Sequence, residues 1–101
     1  MFKDRYSFVA LFTYDDDGIS IDFPDLPGCC PCADTTDEAL KNAKEALGLH
    51  LWGMEQDGEE IPVPSPLTAL KPAANQLPVL VDVFMPPVRE RINNKFVNKL
   101  H

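Results

Sequence analysis

Phe8-Val9-Ala10-Leu11-Phe12-Thr13-Tyr14, then Asp15-Asp16-Asp17-Gly18, then Ile19-Ser20-Ile21-Asp22-Phe23 is the run that decides the fold. Phe8, Ala10, Phe12 and Tyr14 fall on one face of a strand, and Val9 and Leu11 fall on the other. Apolar residues on both faces predict a strand inside a sheet, spanning Ser7 to Tyr14. The three aspartates and the glycine are turn chemistry, because Asp can bond its own backbone and Gly accepts positive φ. Ile19, Ile21 and Phe23 then alternate with Ser20 and Asp22, so the two segments predict a β-hairpin.

Downstream of the hairpin, Pro24-Asp25-Leu26-Pro27-Gly28 must be a loop, since two prolines and a glycine cannot sustain a ladder. A short third strand is predicted over Cys30 to Ala33. Thr35 and Glu38 have the spacing of a helix capping box. Leu40, Ala43, Leu47, Leu51 and Met54 follow at three- and four-residue steps, which predicts one apolar stripe on a helix running to about Gln56 with Gly58 as its stop. Gly48 and Gly53 each weaken that helix by up to about 1 kcal/mol relative to alanine and suggest close packing on the sheet. Glu59 to Gln76 reads as a long proline-rich connection. Leu77 to Phe84 reads as a last strand with Val79, Val81 and Val83 on one face, ended by Met85-Pro86-Pro87. Val88 to Leu100 has weak helical spacing through Val88, Ile92 and Phe96. The order β-β-β-α-β predicts a two-layer α+β domain.

A chain of 101 residues has room for one domain with one modest core. No apolar stretch approaches a membrane span, and the first residues lack the apolar segment of a signal peptide. Three cysteines confined to Cys29, Cys30 and Cys32 cannot staple distant elements, which suggests free thiols in a reducing cytoplasm. The net charge of −7 is unevenly spread. Met1 to Glu60 holds fourteen acids against four bases, a balance of −10, whereas Ile61 to His101 holds two acids against five bases, a balance of +3. The acidic part would repel nucleic acid and attract a basic protein, and the basic tail could approach phosphates. Solubility alone would also account for the acids.

Catalytic and metal chemistry find little purchase. Asp15, Asp16 and Asp17 share one turn, whereas a two-cation nuclease site needs carboxylates converging from different strands. Cys29 and Cys32 have Cys-x-x-Cys spacing, but no second pair follows to complete a zinc site, and His50 and His101 are remote in sequence. A Cys-His nucleophile pair through His50 lacks an identifiable orienting group. The reading is therefore of a binding module, not an enzyme, with no catalytic residue, no metal and no cofactor. A metal-dependent nuclease using the aspartates is the rival from another class.

Several blocks, in order, resemble the HicB-like antitoxin family. They are Tyr14-Asp15-Asp16-Asp17-Gly18-Ile19-Ser20, Phe23-Pro24-Asp25-Leu26-Pro27-Gly28-Cys29, and Asp34-Thr35 leading into Glu38-Ala39-Leu40 and Asn42-Ala43-Lys44-Glu45-Ala46-Leu47. Asp57-Gly58-Glu59-Glu60-Ile61-Pro62, Pro64-Ser65, Val81-Asp82-Val83-Phe84-Met85-Pro86-Pro87 and Asn94-Lys95 complete the set, which covers about residues 5 to 97. The resemblance implies a partial RNase H-like fold and a type II antitoxin. The implied partner is a HicA-like toxin, a small basic mRNA-cleaving protein with a catalytic histidine. It also implies a homodimer or homotetramer, and autoregulation of the operon through a C-terminal DNA-binding domain. Residues 1–85 would form the antitoxin domain. Residues 86–101 would be a basic tail, the start of an incomplete DNA-binding or dimerisation segment, since the sequence reaches only His101. An orphan dimerisation or regulatory domain without a toxin is the alternative role.

Acidic side chains and a rigid proline loop suit a substrate-mimicking plug over a cationic ribonuclease. Asp22, Asp25 and Leu26, with Glu45 and Trp52 on the helix, are the expected toxin contacts. Trp52 could equally pack internally. Arg89, Arg91 and Lys95 are the expected DNA contacts, against the alternative of a solvated tail or a dimer interface.

Overall fold

The computed structural model describes residues 2–100, with side chains as far as residue 93. Four strands form one antiparallel sheet: β1 (Arg5–Asp15), β2 (Gly18–Asp22), β3 (Cys32–Ala33) and β4 (Gln76–Phe84), in the spatial order β3-β2-β1-β4. Helix α1 (Thr36–Gln56) lies on one face, and α2 (Met85–Leu100) follows β4 directly. β1 is central, as its two apolar faces predict. Phe8, Ala10 and Phe12 point to α1 and are fully buried with Ile21, Phe23, Ala39, Ala43, Leu47 and Leu51. Val81 and Val83 complete that face opposite Phe8 and Tyr6. Val9 points the other way and is also buried. The proline-rich connection crosses that outer face, where Val63 to Leu67 line a groove with Ser7 and Leu80.

Turns and caps follow the local chemistry. Gly18 closes the β1–β2 turn at φ +132°, and a Cβ there would stand 2.9 Å from the Ala33 carbonyl oxygen in β3. Positive φ and that backbone neighbour both exclude a side chain. Gly18→Ala is therefore expected to cost about 2 kcal/mol, read as a lowered urea midpoint with an unchanged slope. Thr35 caps α1, its hydroxyl accepting from the Glu38 N–H at 3.2 Å. The Glu38 carboxylate reaches the Asp34 N–H at 3.1 Å, one residue earlier than a standard capping box. Gly58 stops the helix at φ +68°.

Four expectations are corrected. β3 spans only Cys32–Ala33, because Pro31 has no N–H to give; its carbonyl still accepts from Ile21 at 2.9 Å. Ala39, not Leu40, begins the buried stripe of α1, and Leu40 is 45% exposed. β4 opens at Gln76, one residue before the expected Leu77, and Leu77 is exposed. Pro86 and Pro87 do not separate strand from helix, since α2 already begins at Met85. Prolines fit a first helical turn, whose N–H groups have no intrahelical partner. The Met85 N–H instead donates to the Asp4 carbonyl at 2.6 Å.

A candidate partner-binding groove beside the proline loop

The two flanks of α1 carry opposite charge. On the β3 side, Asn42 donates to the Cys32 carbonyl at 2.9 Å and fixes the helix against the β3 strand. Further along that flank Leu49, His50, Gly53, Met54 and Asp57 meet the loop residues Asp25, Leu26 and Pro27 and the connection residues Glu59, Glu60 and Pro62. Together they bound an open groove of about 680 Å³. Its floor is apolar, and its rim carries Asp25, Asp57, Glu59 and Glu60 without a lysine or arginine. Leu49 is 58% exposed here, a large apolar side chain left to solvent beside four carboxylates.

The loop that forms one wall is held from both sides. Leu26 is 1% exposed and anchors it in the core, with backbone bonds from Leu26 N–H to the Phe23 carbonyl at 2.8 Å and from Cys29 N–H to the Leu26 carbonyl at 3.1 Å. Both carboxylate oxygens of Asp25 accept from Ser65, from its N–H at 2.8 Å and its hydroxyl at 2.7 Å. These bonds tie the loop to the connection and keep the groove's outer wall in place. Cys29 is buried beneath the same loop, while Cys30 and Cys32 are exposed. Burial, then the neighbouring Cys30 and Asp22, push the Cys29 thiol up to about 11. Its folded form therefore keeps the proton longer than its unfolded form, so stability is intact below pH 9 and falls as pH rises from about 9 to about 11. The expected chemical readout is iodoacetamide labelling of Cys30 and Cys32 at neutral pH with Cys29 resistant, scored by peptide mass spectrometry.

The opposite flank of α1 is cationic. Arg5, Lys41, Lys44 and Arg91 surround a cleft of about 380 Å³ that also holds Glu45 and Asp82 over Val83, Phe84, Pro87 and Val88. Gly48 lies on this flank, where a Cβ would come within 3.3 Å of both methyl carbons of Val88. Trp52, one turn on, packs half-buried against the core, and its indole N–H is buried without an acceptor. Glu55, a turn further, takes two bonds from Arg89, from Nε at 2.9 Å and Nη2 at 2.7 Å. Arg89 also donates to the Asp4 carboxylate at 2.8 Å and the Lys3 carbonyl at 2.6 Å.

The five residues expected at a toxin contact are thus dispersed. Asp25 and Leu26 share the acidic groove, Asp25 on its rim and Leu26 beneath it. Glu45 and Trp52 lie on the cationic flank, and Asp22 points out from the sheet face away from α1. The groove residues that sequence reasoning missed are Leu49, His50, Gly53, Met54, Asp57, Glu59, Glu60 and Pro62, which lie beyond the loop in sequence and join it only in space. Of the residues expected at DNA, Arg89 spends its donors on Glu55, Asp4 and Lys3, Arg91 is exposed, and Lys95 lies outside the described side chains. Asp15, Asp16 and Asp17 are exposed around their turn, and no three His, Cys, Asp or Glu side chains gather as metal ligands among the described residues.

Comparison with known proteins places this architecture. A family profile described as the HicB_like antitoxin of bacterial toxin-antitoxin system matches residues 8–98. An uncharacterised 14.9 kDa protein of Haemophilus phage HP1 is 47% identical over 51 residues, 50% of this chain but only 38% of the phage protein's length. The solved N-terminal domain of the Burkholderia pseudomallei antitoxin HicB superposes with a TM-score of 0.67 at 28% identity, over 79% of this chain and all of that one. A chain of a toxin-antitoxin complex from Streptococcus pneumoniae superposes at 0.71 and 18% identity, over 95% of this chain and 94% of that one, which shows a shared fold. With the family profile matching from the first strand into the second helix, this chain belongs to the HicB-like antitoxins of bacterial toxin-antitoxin systems.

Proposed function

We propose that this chain neutralises a small basic HicA-like toxin by laying the acidic groove beside its proline loop over the toxin's RNA-binding surface. The observation that carries the reading is the groove itself: exposed Leu49 and an apolar floor inside a rim of Asp25, Asp57, Glu59 and Glu60. A ribonuclease must present positive charge to its substrate, and that rim offers the same partner charge as RNA. The apolar floor supplies burial, which charge alone does not. A relative of the same fold was solved in a toxin-antitoxin complex, which supports a protein partner. The chain works in this reading by covering, so it carries no chemistry of its own, and a reducing cytoplasm keeps its three thiols free.

Operator contact, where the operon is autoregulated, falls in this reading to Arg91 and Lys95 on α2 and not to Arg89, whose donors are spent within the chain. Self-association as a dimer or tetramer belongs to the same reading. The test is co-expression with the neighbouring gene, which in this reading encodes a small basic toxin. The expected results are rescue of growth and a stable complex whose mass reports the stoichiometry. A toxin that kills equally with and without this chain would overturn the reading.

A further inference from the structure

The two glycines inside α1 have different reasons to be glycine. At Gly48 the reason is internal, since an added Cβ would press on Val88 at 3.3 Å and Val83 at 3.5 Å. At Gly53 nothing beyond its chain neighbours and the adjacent turns of the helix backbone lies within 4 Å of where a Cβ would stand, and φ is not positive. Glycine is the poorest helix former after proline, so a folding chain gains from any ordinary residue at such a site. Nothing inside the fold asks for the glycine, yet it lies on the wall of the acidic groove between Leu49 and Met54.

We propose that Gly53 is the seat for a basic segment of the toxin: the missing side chain lets that segment's backbone lie against α1, while an arginine or lysine on it reaches the rim. This rests on the antitoxin reading above and adds the point of closest approach to it. Pro27, Leu49, Met54 and Pro62 offer an apolar surface for the stem of a long cationic side chain. Asp57, Glu59 and Glu60 are exposed, ready to receive its charge. A negative partner is disfavoured by the same rim, and a neutral one would leave Asp57, Glu59 and Glu60 without a countercharge. Glycine at close backbone approach is the general device by which one chain admits another.

Gly53→Ala and Gly53→Met separate this role from a structural one. Both put a good helix former where nothing obstructs it, so both are expected to melt higher than the parent by about 2–5 °C. Both fill the seat. Toxin affinity, measured by titration calorimetry with the toxin from the co-expression experiment, is expected to fall about tenfold for alanine and further for methionine. Higher melting with undiminished affinity would overturn the proposal, because the groove floor would then be free of the partner. Lower melting would overturn it too, because the glycine would be serving the fold. Failure of the unmodified chain to bind toxin would strike the antitoxin reading itself, and the parent control distinguishes that case.

Discussion

Arg89→Ala is expected to cost about 3 kcal/mol of folding stability. The guanidinium joins three parts of the chain: Glu55 near the end of α1, Asp4 and the Lys3 carbonyl before β1, and its own helix α2. It makes a two-pronged contact with Glu55, whose side chain is only 5% exposed. Arginine's planar fork suits that geometry, and its bonds to Glu55 first and Asp4 next hold the guanidinium even further above its ordinary pKa, so it stays cationic. Removing it leaves the Glu55 carboxylate buried without a partner, and that orphaned charge is the main cost. The estimate sits at the low end for buried pairs because Arg89 keeps 25% of its side chain in solvent. The contact to Asp4, 66% exposed, adds little. Arg89→Ala combined with Glu55→Gln is therefore expected to recover much of the loss, since the charge left behind is gone. Arg89→Lys should lose part of it, because an ammonium cannot serve both carboxylate oxygens in the same plane. Urea unfolding of the parent, both single variants and the double variant gives the coupling as a cycle. Equal stability of parent and Arg89→Ala would mean that α2 is held without this network, by Met85 in the core and Val88 against Gly48.

Local chemistry in the sequence announced the fold well, and spatial convergence is where it stopped. The β1–β2 hairpin needs only alternation and an Asp-Gly turn, and both lie within one window of residues. The cap at Thr35 and the stop at Gly58 are equally local. The start of the buried stripe misled by one residue, since Ala39 is buried and Leu40 is not. The groove depends on three segments, 25–27, 49–57 and 59–62, that meet only after folding, and no spacing announces their meeting. Charge counted along the chain placed most acids in the first sixty residues, but it could not sort them by flank. Glu45 landed among Arg5, Lys41, Lys44 and Arg91, whereas Asp57, Glu59 and Glu60 gathered on the other side. Arg89 and Arg91 look alike in a basic tail, yet one is committed inside the fold and the other faces solvent, because only Arg89 falls on the turn of α2 that meets Glu55.

Reversing charge on the groove rim is expected to weaken the toxin complex by about a hundredfold, which corresponds to about 2.7 kcal/mol. The informative variant is Asp57→Lys, Glu59→Lys and Glu60→Lys together. Asp25 should be spared, because both its oxygens hold Ser65 and its loss would loosen the loop as well as remove a charge. The three chosen residues are exposed, and among the described residues none makes a side-chain hydrogen bond within the chain, so the fold should tolerate the change. Asp57 caps the C-terminal end of α1, where a cation suits the helix dipole better than an acid, so stability should hold or rise slightly. The loss should then fall mainly on association. Encounter between an acidic surface and a basic toxin is steered by charge, so the association rate should drop at least about tenfold at low ionic strength. Raising salt to about 0.5 M shortens the screening length to a few ångströms and should bring parent and variant rates together. Stopped-flow association at two salt concentrations measures both effects. A variant that folds, associates as fast as the parent at low salt and still protects cells would place the toxin on another surface. The cationic cleft could not take its place for a basic partner, since like charges would meet there.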